Sequence, residues 1–265
     1  MKRGTFACAF AFFPLVCLPA QPRADSAGEA ERTWEQMIDA KGGRGNLYRI
    51  ETMVQETRDY SIYLYPIFAH GKEHTVKVYA FPNGEWRWET APIFGDKVQA
   101  ADLIAGAGYI GYPNNDIRKT SDLRWEKEDL KNIQLVYFNE TRWLKPKPVR
   151  MLLYKKIPKK VEAIETDLDG ERIEFWVDRK IHLPVKIISY RDFGHGKGLE
   201  PSYTWNLSHY RWMNGIQIPN KISMIVLSGD PGTSRFMPIL NPKLREDLFT
   251  SPPRFEDGPD AWKGK

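Results

Sequence analysis

Residues 171–187 read ERIEFWVDRKIHLPVKI, with apolar side chains at alternate positions on both sides of a short polar turn. The alternation runs from Ile173 to Val177 before the turn and from Leu183 to Ile187 after it. A period of two is typical of a strand with one apolar face. We therefore predict an antiparallel hairpin whose apolar face turns toward the protein core.

Two Asn-Gly pairs extend this pattern along the chain. Asn83-Gly84 and Asn214-Gly215 each separate two β-like runs, and this dipeptide favours the tight hairpin turn in which both central residues have positive φ. Successive hairpins predict a mainly β protein with some α-helix, built on a large curved antiparallel sheet. Residues 51–65 are predicted as one long strand, whereas residues 91–120 show no clear period.

Two segments have the period of amphipathic helices. In residues 28–40 the apolar positions Ala30, Trp34, Met37 and Ile38 lie on one face of a helix. Residues 123–143 form the second predicted helix. We expect both helices to lie across the concave face of the sheet.

The first twenty residues have the pattern of a secretory signal peptide. Lys2 and Arg3 precede an apolar run, and Ala20 supplies the small residue at the expected cleavage point. The run is shorter than the roughly 20 residues that span a bilayer. We therefore predict residues 1–20 as a cleaved signal peptide and residues 21–265 as one exported domain. Residues 91–145 are the candidate for an insertion, and residues 239–265 are predicted as an irregular tail.

Composition excludes several classes of function. Both cysteines, Cys8 and Cys17, lie in the predicted signal peptide, so the mature chain would have no disulfide, thiolate metal site or Cys nucleophile. Lipid anchoring through Cys17 is disfavoured because Pro14 and Val16 stand where a lipobox has Leu and a small residue. The net charge of +5 includes Lys2 and Arg3, and the remaining excess is too small to indicate nucleic-acid binding.

Short motifs spread over residues 30–230 resemble the LolA-like periplasmic proteins, the group related to outer-membrane lipoprotein sorting. They are IEFWVD at 173–178, LPVK at 183–186, YRWMNGIQIP at 210–219, and Trp34 with AKGG at 40–43. The resemblance implies a half-open β-barrel around a hydrophobic cavity, with helices across its mouth. Members of this group carry lipoprotein acyl chains, bind other lipids or sense envelope stress. The motifs mark turns and packing, so they transfer no ligand-contacting residue.

A curved sheet of this kind offers a concave apolar surface that could bury an acyl chain at about 0.8 kcal/mol per methylene. The predicted helices would act as a lid over it through Trp34 and Ile38. The same side chains could instead form an ordinary core against the helices. The predicted lining residues are Trp86, Trp88, Phe175, Val177, Ile218, Ile222 and Met224.

Other motifs indicate chemistry only weakly. His70, Glu73 and His74 have the H-x-x-E-H spacing of a zinc hydrolase, but Gly71 and the β-like flanks favour a turn. Asp167 and Asp169 are better explained by a hairpin turn than by a calcium loop. We predict no cofactor and no catalytic or metal-binding residue.

These observations predict a periplasmic binding or carrier protein, monomeric and without a transmembrane segment after cleavage. Its ligand would be a lipid, an acyl chain or a lipidated protein, held without covalent chemistry. The alternatives are a cell-envelope interaction module with a filled core, binding an envelope protein, and a zinc hydrolase. We predict no nucleic-acid partner.

Overall fold

The computed structural model describes most of the chain. The described residues are 26–57, 60–64, 67–71, 75–82, 85–90, 97–103, 105–112, 116–140, 147–152, 157–194, 196, 198–226, 232–234, 238–249 and 262–264. The predicted signal peptide lies outside them. No helix in the described part of the chain is long and apolar enough to cross a membrane.

Three helices and sixteen strands make up this part of the protein. The helices are α1 (Ser26–Ala40), α2 (Arg44–Leu47) and α3 (Arg124–Phe138). The strands are β1 (Thr52–Thr57), β2 (Tyr60–Leu64), β3 (Ile67–Gly71), β4 (Thr75–Ala80), β5 (Glu85–Thr90), β6 (Lys97–Asp102), β7 (Ala107–Gly111), β8 (Ile117–Thr120), β9 (Lys147–Met151), β10 (Val161–Leu168), β11 (Glu171–Asp178), β12 (Pro184–Asp192), β13 (Leu199–Met213), β14 (Ile216–Val226), β15 (Gly232–Ser234) and β16 (Ile239–Leu240).

The C-terminal half forms an antiparallel meander in which β9 to β15 follow one another in chain order. We call this the second sheet. Its tight turns form where the sequence predicts them: Asp169-Gly170 joins β10 to β11 and Asn214-Gly215 joins β13 to β14, with positive φ at all four residues. Among the described strands, β9 and β15 lie at the two edges. The sheet is therefore not closed, and the architecture agrees with the predicted half-open β-barrel.

The N-terminal half forms the first sheet, in the order β16-β1-β4-β5-β6-β7-β8. The predicted hairpin between β4 and β5 is confirmed by the pairing of Ala80 with Glu85, although Asn83-Gly84 itself lies outside the described residues. Residues 91–120, which show no clear period in the sequence, contain β6, β7 and β8, and these strands continue the first sheet. The prediction of one strand over residues 51–65 is wrong, because β1 joins the first sheet whereas β2 pairs with β3 in a separate two-stranded sheet.

The helices differ in how well the sequence predicts their ends. Helix α1 confirms the prediction over residues 28–40, and its four predicted apolar positions are all buried. The second predicted helix is too long at its C-terminal end, because α3 ends at Phe138. Asn139 stops it by adopting the left-handed conformation, with φ of 63°, a common way for a helix to end.

The main core lies where the helices meet the two sheets. Trp34 of α1, Leu130 of α3, Tyr79 of the first sheet and Phe175 of the second sheet all belong to it. A second cluster is formed by the first-sheet residues Val54, Val76 and Val78 with two residues of the C-terminal segment, Leu248 and Trp262. Part of the predicted irregular tail thus packs on the first sheet, and β16 pairs with β1.

Helix α3 is held to both sheets by polar contacts. Asp129 accepts hydrogen bonds from Lys77 at 2.7 Å and from Tyr79 at 2.9 Å, both on β4 of the first sheet. Glu128 pairs with Arg191 of the second sheet at 2.8 Å. This helix therefore bridges the two sheets.

The chain leaves α1 through a close backbone approach to the β13–β14 turn. Gly42 has φ of 118°, and a Cβ built on it would lie 2.3 Å from the carbonyl oxygen of Gly215 and 3.1 Å from the Cα of Ile216. Gln217 donates its backbone N–H to the carbonyl of Lys41 at 2.8 Å. Only glycine fits this junction, because both its φ and the available space exclude a side chain.

Replacing Gly42 by alanine tests this junction. The strained φ and the backbone clash should lower the free energy of unfolding by at least about 2 kcal/mol. The matched control is Gly45→Ala in α2, where an added Cβ meets nothing within 4 Å, and this variant should be as stable as the wild type or slightly more stable. Urea unfolding measures both changes, and equal stability of the two variants would contradict the packing described.

Candidate functional site

Four of the predicted lining residues meet on one surface of the second sheet. Phe175 and Val177 of β11 are 0% and 1% exposed, and Ile218 and Ile222 of β14 are 1% and 6% exposed. All four belong to the main core. We refer to these four residues as the covered face, because helices screen them from solvent.

The two predicted lid residues belong to the same core. The ring of Trp34 meets the ring of Phe175 edge to face, with centroids 5.3 Å apart and an interplanar angle of 89°. Ile38 lies one turn further along α1 and is 0% exposed. Edge-to-face aromatic pairs contribute about 0.5–1.5 kcal/mol beyond their buried area. The contact therefore fixes α1 on the covered face.

The other three predicted residues do not belong to the covered face as the structure describes it. The side chain of Met224 is 40% exposed, near the point where β14 pairs with β15. Trp86 and Trp88 are on β5 of the first sheet, and their side chains lie outside what the structure describes. In backbone register Trp86 stands between Tyr79 and Ala101. Among the side chains that the structure describes, six of the predicted residues therefore share the main core.

Helices α1 and α3 are joined at one end by a charged cluster. Arg44 of α2 donates to both carboxylate oxygens of Glu35 in α1, and its Nε donates to Glu140 just beyond α3 at 3.1 Å. Tyr48 donates its hydroxyl to the other oxygen of Glu140 at 2.5 Å. The hydrogen bonds from Arg44 lower the pKa of Glu35, and the same interactions raise the pKa of Arg44. Arg44 thus connects α1 to the end of α3 through ion pairs with Glu35 and Glu140.

Along the sheet, α1 has a further polar attachment through Thr33. Its hydroxyl donates to Glu162 of β10 at 3.0 Å, and Thr33 itself is only 2% exposed. This contact lies near the β9 edge of the second sheet, away from β14. It sets the position of α1 along the sheet, while Trp34 supplies the apolar contact.

The most unusual residue near this site is Lys41, which no sequence motif marks as functional. Its side chain is fully buried, and its ammonium nitrogen has no hydrogen-bond partner among the described residues. The nitrogen lies 5.2 Å from the centroid of the Tyr210 ring, within reach of a cation–π interaction. Burial without a counter-ion lowers the pKa of Lys41 to about 7.

The burial of Lys41 could have been predicted from the spacing of the apolar residues in α1. The buried positions Ala30, Trp34, Met37 and Ile38 of α1 continue at the same spacing to residue 41, where a core side chain is expected. A lysine at such a position conflicts with the pattern around it. Conflicts of this kind concentrate at functional sites.

The stability of Lys41→Met should reveal this burial through its pH dependence. The unfolded chain keeps the usual lysine pKa near 10.5 while the folded chain has about 7, so between these values the unfolded state binds more protons and wild-type stability rises with pH. The methionine variant lacks this rise. The free energy of unfolding of the methionine variant should exceed that of the wild type most below pH 7. Above pH 7 this difference should shrink as the pH rises, by at most about 1.4 kcal/mol per pH unit.

Urea unfolding at about pH 6, 8 and 9.5 measures the difference. The matched control is Lys180→Met, since Lys180 is exposed in the β11–β12 turn. A constant difference between Lys41→Met and wild type across this range would contradict a buried, unpaired ammonium group.

The predicted chemical motifs form no metal centre in the described part of the chain. No group of three His, Cys, Asp or Glu side chains is placed there to hold a metal ion. His70 is on strand β3 rather than a helix, and Glu73 and His74 lie outside the described residues. Asp167 accepts a hydrogen bond from the backbone N–H of Gly170 at 3.2 Å. That contact agrees with the predicted hairpin turn.

Comparison with known proteins shows the fold. No family model matches the sequence, and no curated protein matches it. A LolA superfamily protein from Nitrosomonas europaea superposes with a TM-score of 0.52 and 12% identity, covering 84% of this chain and 97% of that one. A DUF1329 family protein from Desulfovibrio piger superposes with a TM-score of 0.54 and 10% identity, covering 83% of this chain and 96% of that one. The chain has a LolA-like fold.

Proposed function

We propose that this LolA-like fold serves as a periplasmic binding or carrier protein for a lipid, an acyl chain or a lipidated protein. The observation that carries the proposal is that helices pack on the apolar surface of the second sheet, with α1 against β9, β10 and Phe175 of β11 and α3 against β14. Phe175, Val177, Ile218 and Ile222 form that surface. The predicted signal peptide supports export, and the fold supports lipid binding without covalent chemistry.

Binding requires α1 to leave the covered face, because protein side chains occupy it. The buried apolar residues of α1 contribute roughly 10 kcal/mol of hydrophobic stabilisation. An acyl chain of about sixteen methylenes would gain about 13 kcal/mol in the same environment. The free energy gained by burying a long acyl chain is thus similar to the hydrophobic stabilisation that α1 contributes. A long chain would therefore be able to displace the helix, whereas a short chain would gain too little.

The attachment of the helices determines which of them moves. Helix α3 is tied to the first sheet through Asp129 and to the second sheet through Glu128. Helix α1 is joined to the second sheet by Thr33 and by the Trp34–Phe175 contact. We infer that α1 is the lid and that α3 remains in place as the support between the sheets.

A second candidate, an interaction module of the cell envelope, is favoured by one observation. The covered face is at most 6% exposed, which is also the property of a permanently filled core. In that case the partner would be an envelope protein bound at the outer surface. The side chains of Trp125 and Trp212, which are 73% and 63% exposed, are then among the apolar groups available for contact.

Native mass spectrometry separates these functions. The full-length chain is exported in a Gram-negative host, and the periplasmic protein is purified without detergent and weighed under native conditions. The carrier function predicts a mature mass, a chain beginning near Gln21, plus one or more species heavier by the mass of a lipid. A single unliganded mass, with no lipid recovered on extraction, contradicts the carrier function and favours the interaction module. A mass that includes one zinc ion per chain would instead favour the zinc hydrolase.

A further inference from the structure

We propose that Lys41 binds the anionic head group, a carboxylate or a phosphate, of an amphiphile whose chain lies against the covered face. This inference rests on the carrier function proposed above and specifies its ligand class. Three observations carry it: the complete burial of the Lys41 side chain, the missing hydrogen-bond partner of its nitrogen among the described residues, and its position just past the end of α1, where it continues the spacing of that helix's buried residues.

The burial of Lys41 is costly unless something compensates it. An ammonium group removed from water without a counter-ion or hydrogen-bond acceptors loses several kcal/mol. Leucine or methionine would fill the same position without that loss. The residue is therefore an anomaly within the fold, and a ligand anion would resolve it by restoring both the counter-charge and the hydrogen bonds.

The groups around Lys41 are committed to other partners. The hydroxyl of Tyr210 donates to the carbonyl of Pro184 at 2.7 Å, so this residue offers Lys41 only its ring. Glu35 and Glu140 are both paired with Arg44. The backbone carbonyl of Lys41 itself accepts from Gln217. Neither Tyr210 nor these carboxylates therefore supplies an acceptor to the ammonium group of Lys41, which has no hydrogen-bond partner among the described residues.

The apolar surroundings identify an amphiphile rather than a small anion. Lys41 follows Met37 by one helical turn and Ile38 by three residues, and both are 0% exposed members of the main core. A free anion would lose its hydration there and gain only one ion pair. An anion attached to an alkyl chain also gains free energy from the burial of that chain. The anionic head group of such a ligand matches Lys41, and its alkyl chain matches the covered face.

The experiment compares two ligands with the same chain and different head groups. Wild-type protein, Lys41→Met and the exposed-lysine control Lys180→Met are titrated with oleate, which carries a carboxylate, and with monoolein, whose head group is neutral. Acetate supplies the carboxylate without the chain. Each protein is first stripped of co-purified lipid, and its folding is checked by urea unfolding.

Wild type and Lys180→Met should prefer oleate over monoolein by at least about tenfold, the usual effect of a hydrogen bond to a charged group. Lys41→Met should lose this preference while its affinity for monoolein stays within about threefold of wild type. Acetate should not compete with oleate at millimolar concentration. This set of results supports the assignment.

Two outcomes overturn the assignment and leave the carrier function standing. In the first, Lys41→Met keeps the wild-type preference for oleate, so the carboxylate binds elsewhere. In the second, acetate displaces oleate at micromolar concentration, so the ligand class is a small anion. If wild type binds neither oleate nor monoolein, the carrier function fails and the role of Lys41 fails with it.

Discussion

The contact between Trp34 and Phe175 is the interaction on which the rest of the structure depends. The second sheet has an apolar surface that has to be removed from water, and α1 covers the part of it around β11 by placing Trp34 against Phe175. A β-sandwich would cover this surface with a second sheet, whose strands are hydrogen-bonded to one another and would have to move together. Here α1 and α3 pack on it through side-chain contacts, and one helix can move away without breaking a strand ladder.

Under the proposed carrier function, the ligand and α1 would compete for one surface. The affinity for any ligand is then reduced by the free energy needed to move α1 away. The Arg44 cluster adds to that cost because it joins Glu35 of α1 to Glu140 beyond α3. The Gly42 junction acts differently, since it fixes the C-terminal end of α1 against the β13–β14 turn. We infer that α1 swings about this junction, with its N-terminal end moving furthest.

The sequence predicts the second sheet well because its signals are local. The Asn214-Gly215 turn and the alternation through Ile173 and Phe175 depend only on neighbouring residues, and the structure contains both features. In the first sheet, β6 and β7 are rich in Ala and Gly, so their pairing depends on long-range contacts that no local period records. The break between β1 and β2 has the same origin, since it is set by different partner strands.

The site was only partly predictable for a related reason. Apolar alternation finds the covered face and the helical period finds Trp34, but neither distinguishes a filled core from a binding surface. Lys41 was missed because a charged residue next to two glycines is typical of the end of a helix at the surface. Only the packing of Gly42 on the β13–β14 turn brings that position into the interior.

The claim that α1 is a lid can be tested most directly by native-state hydrogen exchange on the mature protein without ligand. Amides of α1 should exchange through a local opening whose free energy is at least about 2 kcal/mol lower than that of the opening of β11 and β13. Adding oleate should change protection in α1 far more than in α3. If α1 exchanges only as slowly as β11, through unfolding of the whole domain, the helix is a fixed part of the core and the account is wrong.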